Sequence, residues 1–130
     1  MASSEVSVVD GQLRIAWFGV LDPATVAEAM PKVKQELAAN PKTVVVITNG
    51  VTDCPEAVRK DLVTLQRELG QRGRRSAWVD ERARFRGLAL WVMHLADDQN
   101  SKAVASLELA RRWVTSSEAR EAGQRKAVGA

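Results

Sequence analysis

The chain has one cysteine, one histidine and no tyrosine, so its reactive side chains are few and quickly placed. Cys54 stands in the stretch NGVTDCPEAV at 49–58, where a turn runs into Asp53 and a helical pattern begins. Asp53 as N-cap, with Glu56 three residues on, reads as a variant capping box. Cys54 would then lie in the first helical turn, where unpaired N–H groups and the helix dipole favour a thiolate. The two neighbouring carboxylates oppose that effect. The stretch therefore has two readings, a small residue filling a cap or a reactive thiol. Cysteine catalysis needs a base within reach, and His94 lies far along the chain in an apolar helical segment, where it reads as a partly exposed helix residue. One cysteine and one histidine do not make a zinc site. Asp97, Asp98 and Asn100 lack calcium-loop spacing and read as a helix end and turn. No GxGxxG, Walker loop, HExxH or GxSxG occurs. We expect no enzyme activity, no metal and no cofactor.

Charge and aromatic residues offer more. Arg67, Arg72, Arg74, Arg75, Arg82, Arg84 and Arg86 fall close together, against Glu68, Asp80 and Glu81. They read either as a solvated helix end with its loop or as a site for an anionic partner. The net charge of only +3 ranks nucleic acid behind protein as that partner. Of the four tryptophans, Trp17, Trp78 and Trp113 suit core packing. Trp91, beside Leu90 and Met93, would mark a partner surface if exposed.

The periodicity supplies elements to position these residues. Val6 and Val8, then Leu13, Ile15 and Trp17, alternate with polar neighbours on either side of Asp10-Gly11. That pattern predicts a hairpin of strands near 4–9 and 12–20. Asp22-Pro23 opens a helix carrying Val26, Met30, Val33 and Leu37. Pro31 should kink or split it, and Asn40-Pro41 should end it. The β-branched run at 43–47 predicts a strand buried on both faces. A helix follows near 54–70, closed by Gly70 or Gly73, and then a strand at 76–79. An apolar helix near 83–96 carries Phe85, Leu88, Val92 and Leu95 as its stripe. A weak strand at 102–105 and a helix capped by Ser106 complete the order ββαβαβαβα. This is an α/β fold with a mixed sheet, an N-terminal hairpin and helices packed on the sheet. The domain spans 1–115, and 116–130 is a polar, alanine-rich tail with some helical character. A lone cysteine, no apolar run of membrane-span length and no signal-peptide pattern point to a cytoplasmic protein.

With that order in place, four segments together resemble the STAS domain, the fold of bacterial anti-sigma-factor antagonists and of sulfate-transporter tails. They are GVLD at 19–22 leading into a helix, TVVVITNGVTDCPEAVRKDLVTL at 43–65, RRSAWV at 74–79, and SAWVDERARFRGLALWVMHLADDQNSKAVASLELARRWV at 76–114. The last resembles the STAS/SEC14-like, or SpoIIAA-like, branch, with its closing Ala110, Trp113 and Val114. The likeness covers roughly residues 5 to 115 and rests mostly on hydrophobic patterning.

The resemblance implies a signalling module that regulates through protein–protein contact. Its partner would be another protein, a regulator or a kinase-like protein, or a second copy in a homo-oligomer. STAS antagonists carry a phosphorylatable serine in an Asp-Ser-Ser-Gly-like stretch at the start of the second helix. Here the matching stretch is Asp53-Cys54-Pro55-Glu56, with Pro55, or Cys54 in a register slipped by one, in the place of the serine. Neither accepts phosphate as serine does, and Thr48 and Thr52 lie outside the matching position. What the resemblance carries over is a binding surface at the loop after the third strand and on the second helix, here Thr52, Asp53, Cys54, Glu56 and Arg59. Arg82, Arg84 and Arg86 would join it from the carboxyl end of the fourth strand, and Leu90 and Trp91 as an exposed apolar patch. The alternative is a SEC14-like carrier of a small molecule or lipid, with its pocket under the apolar helix 83–96.

Overall fold

Asp10 and Gly11 adopt φ of 53° and 77°, the conformation a two-residue hairpin turn requires. The chain therefore folds β1 (Ser3–Val9) back onto β2 (Gln12–Val20). In this computed structural model residues 2–39, 43–71 and 75–115 are described. Asn40-Pro41, Gly73, Arg72, Arg74 and the tail at 116–130 lie outside them. Asp22 caps α1 (Pro23–Ala38), its Oδ1 accepting the Thr25 N–H at 2.7 Å. The remaining elements are β3 (Thr43–Asp53), α2 (Glu56–Gln71), β4 (Arg75–Val79), α3 (Ala83–Leu95), β5 (Ser101–Val104) and α4 (Leu107–Thr115). The order is the expected ββαβαβαβα.

The five strands form one sheet in the order β1-β2-β3-β4-β5. Only the β1–β2 pair is antiparallel, so the sheet is mixed. Side-chain alternation sorts two packed layers. Leu13, Ile15, Trp17, Val44, Val46 and Trp78 face the core beneath α1, α2 and α3. Val45, Ala77, Val79 and Val104 face the other way, against Ala110 and Val114 of α4. β3 and β4 are thus covered on both sides, as the run of β-branched residues implied.

The structure corrects several boundaries. β3 does not stop at 47. It runs to Asp53, still paired with β2 through two register shifts, Phe18 opposite Gly50 and Val20 opposite Asp53. Asn49-Gly50 is therefore not a turn. A Cβ on Gly50 would run into the Phe18 ring, so this glycine permits the close crossing of the two strands. Since β3 is longer, α2 begins at Glu56, and Asp53 is not its N-cap. α1 is one continuous helix through Pro31, which lies on its exposed side, so the helix does not split. The buried stripe of α3 is Phe85, Ala89, Val92 and Met93, with Leu88 half-buried and Leu95 exposed. The small Ala89 sits at the centre of that stripe, with the larger residues on either side of it.

Candidate functional site

Asp80 directly follows β4 and is a carboxylate only 2% exposed. Its carboxylate is held by Arg82, with Nε 2.9 Å from Oδ1 and Nη2 2.8 Å from Oδ2. The Arg82 backbone N–H adds a third bond to Oδ1 at 2.9 Å, and Thr48 Oγ1 lies 2.9 Å from Oδ2. Arg82 Nη2 also reaches the Thr48 carbonyl at 2.9 Å, joining β3 to the start of α3. Burial pushes the Asp80 carboxyl up. The hydrogen bonds from Arg82 and Thr48 outweigh it and hold the carboxyl below its ordinary value. Arg86 is drawn inward too, its Nη1 donating to the carbonyls of Asp80 at 3.0 Å and Glu81 at 2.8 Å.

The arginine cluster is therefore not one patch. Arg82 and Arg86 hold the loop after β4. Arg67 donates to the Leu95 carbonyl at the end of α3 at 3.2 Å. Arg75 is buried on the opposite face of the sheet, its guanidinium 4.3 Å from the centre of the Trp113 ring. Arg84 differs. Its side chain is 79% exposed, and its ion-pair partner is Asp53 at 3.9 Å, itself exposed.

Arg84 lines an open pocket of about 220 Å³ together with Cys54, Arg59, Phe85, Leu88 and Trp91. Two elements position these residues. Cys54 and Arg59 come from the entry and first turns of α2, where Arg59 Nε donates to the Cys54 carbonyl at 3.3 Å. Arg84, Leu88 and Trp91 recur at i, i+4 and i+7 along α3, so they share one helix face. Phe85 sits beside them, with the Arg82 guanidinium 3.8 Å from its ring centre and that of Arg84 at 5.6 Å.

Cys54 forms the floor of this pocket and is 4% exposed. It precedes α2 rather than lying in its first turn, and its N–H is taken by Asp53 Oδ1 at 2.9 Å. Burial pushes the thiol above its ordinary pKa, and Arg59 offsets only part of that. The helix-head argument for a thiolate fails because the helix starts two residues later and the sulfur is dry.

Of the residues expected to share a surface, Cys54, Arg59, Arg84 and Trp91 do meet. Asp53 joins them only through its loose pair with Arg84. Thr52 and Glu56 are exposed but do not line the pocket. Leu90 is 56% exposed on the outer side of α3. Phe85 and Leu88 belong to the apolar stripe expected of helix 83–96 and were not among the residues expected at the binding surface. Their 84/85/88/91 spacing with Arg84 and Trp91 was the available signal. His94 is exposed, and Asp98 accepts from Gln66 Nε2 at 2.7 Å and the Asn100 N–H at 2.9 Å, as a turn residue would. Among the described residues no group of three or more metal-ligating side chains gathers, and no helix is long and apolar enough to cross a membrane.

No family model and no curated protein matches the chain. Solved structures do. RsbS of Moorella thermoacetica superposes with a TM-score of 0.69 at 15% identity, covering 90% of this chain and 97% of that one. An anti-sigma factor antagonist from Mycobacterium paratuberculosis gives 0.66 at 18% identity, covering 88% and 95%. An uncharacterized protein with a SpoIIAA-like fold from Shewanella loihica PV-4 gives 0.66 at 11% identity, covering 87% and 93%. The described residues have the SpoIIAA-like fold of STAS domains.

Proposed function

We propose that this chain is a non-enzymatic, cytoplasmic bacterial regulatory module of the STAS type that works by binding another protein or a second copy of itself. The surface would be the head of α2 with the outer side of α3. One observation carries this reading. Leu90, Trp91 and Leu95 are 56%, 43% and 44% exposed on α3, beside the pocket that Arg59 and Arg84 flank. Fully burying such a side chain contributes about 1.5–3 kcal/mol, so leaving three on one short helix forgoes stability that a partner could supply. The likeness to an anti-sigma factor antagonist supports the same reading.

The antagonists' serine switch has no counterpart in this reading. Cys54 is buried, and Pro55 has no hydroxyl. The Thr48 hydroxyl is buried against the Asp80 carboxylate and the Val79 carbonyl, which leaves Thr52 as the exposed hydroxyl of the segment. The carrier alternative finds little room. The cavity enclosed beneath α3, among Leu21, Val51, Leu62, Trp78 and Ala89, is about 10 Å³, whereas small-molecule sites measure roughly 300–1,000 Å³.

Affinity capture with the wild-type chain and a Leu90→Glu/Trp91→Glu variant, side by side, tests the proposal. A protein held by the wild type and lost from the folded variant supports it, and so does a wild-type dimer that the variant converts to monomer. Identical captured proteins and identical oligomeric state in the two would overturn it.

A further inference from the structure

We infer that the pocket between α2 and α3 receives a phosphate monoester on an aromatic or apolar stem, presented by a partner polypeptide. The inference rests on the protein-binding reading above and names the group recognised. Two guanidinium groups line one small cavity. Arg59 commits its Nε to the Cys54 carbonyl and its guanidinium also bears on the Cys54 thiol, but no carboxylate pairs with it among the described residues. Arg84 is held only by Asp53 at 3.9 Å, with both partners exposed, and such pairs are weak. Two cations with unused donors facing one cavity favour an anion there.

The choice of phosphate follows from counting donors. A carboxylate is satisfied by a single guanidinium fork. A phosphate monoester carries close to two negative charges and three acceptor oxygens, enough for both forks. Asp53 sets the threshold, because a monoanion would merely exchange with it at Arg84. A dianion spanning Arg59 and Arg84 gains a second cation that Asp53 is not bonded to. The remaining wall is Phe85, Leu88 and Trp91, which suits a stem with apolar or aromatic surface and not a free inorganic ion. The pocket is also several times the volume of about 30 Å³ that one water occupies in the liquid, so it admits the phosphate and part of its stem.

Phenyl phosphate is the probe. It is titrated into the full chain, with Trp91 and Arg59 side-chain NMR signals as the readout. Inorganic phosphate and phenylacetate run beside it. Saturable shifts at both residues are expected, with affinity falling as pH drops through about 6, where the phosphate loses its second charge. Arg84→Ala should weaken binding roughly tenfold or more, with Arg84→Lys intermediate because it keeps the charge and loses the fork. Trp17, Trp78 and Trp113 indole signals unchanged in these variants confirm the fold. No saturable binding up to about 10 mM, weaker than any useful contact affinity, would overturn the inference. Equal binding of phenylacetate would overturn the choice of phosphate, and equal binding of inorganic phosphate would overturn the stem. Failure here, with capture still lost in Leu90→Glu/Trp91→Glu, retires the pocket and leaves the interaction surface standing. Phenyl phosphate binding with capture unaffected in that variant would overturn the protein source of the group.

Discussion

Arg82 and Arg84 are two residues apart and both lie against the Phe85 ring, yet the fold uses them in opposite ways. Arg82, with its side chain 37% exposed, closes a two-toothed bond on the buried Asp80 and reaches across to the Thr48 carbonyl. Arg84, 79% exposed, has only a distant exposed carboxylate. The first is a structural clamp between the carboxyl end of β4 and the middle of β3, just past their last paired residues, and the second is a charge held available over a pocket. Sequence proximity does not make a charge cluster one device. What separates the two is whether a buried carboxylate lies within reach.

Removing the buried member of the clamp should have the largest effect. Asp80→Ala leaves the half-buried Arg82 guanidinium without its carboxylate and the Thr48 hydroxyl with only the Val79 carbonyl at 3.2 Å, and should cost about 2–3 kcal/mol in urea unfolding. A loss under 0.5 kcal/mol would break the contrast between the two arginines. Arg82→Ala should cost somewhat less, about 2 kcal/mol, since Thr48 and the backbone N–H at 82 still reach the Asp80 carboxylate.

Acid sharpens the same contrast. The Asp80 carboxyl has a folded pKa below its unfolded value. Its contribution is therefore fully present above the unfolded value, near 3.9 for aspartate, and is lost as pH falls through the lower folded value. Unfolding midpoints measured across that acid window should fall less steeply in Asp80→Asn than in the wild type. An unchanged slope would mean the carboxylate is not held as the hydrogen bonds imply. The smallest effect belongs to Arg84→Ala, which should change stability by under about 0.5 kcal/mol. A larger loss would place Arg84 in the clamp's class and count against a charge kept free for binding.

Much of the frame was legible along the chain, for identifiable reasons. The hairpin follows from Asp10-Gly11 between alternating runs, because two positive-φ positions leave the backbone little else to do. The start of α1 follows from Asp22-Pro23, where a side-chain acceptor meets a missing N–H. The doubly covered β3 follows from its unbroken run of β-branched residues. The end of β3 was not legible. Asn49-Gly50 is a turn signal by local preference, but pairing with β2 and the crossing of Phe18 over Gly50 keep the strand going to Asp53. That extension shifts the start of α2 by two residues, and Cys54 passes from a helix head to a buried floor.

The sequence by itself determined which elements form and in what order, because propensity, hydrophobic period and turn chemistry act over neighbouring residues. It also determined that the chain has few reactive groups. Only the tertiary structure decided which arginine is spent and which is available. It likewise decided that Cys54 is dry and that Arg59 meets Arg84 and Trp91. Those outcomes depend on parallel β3 and β4 bringing residues 48 and 80 within hydrogen-bond distance, and on α2 packing beside α3. Electrostatic pairing and burial depend on separation in space, and chain order sets that separation only through the fold.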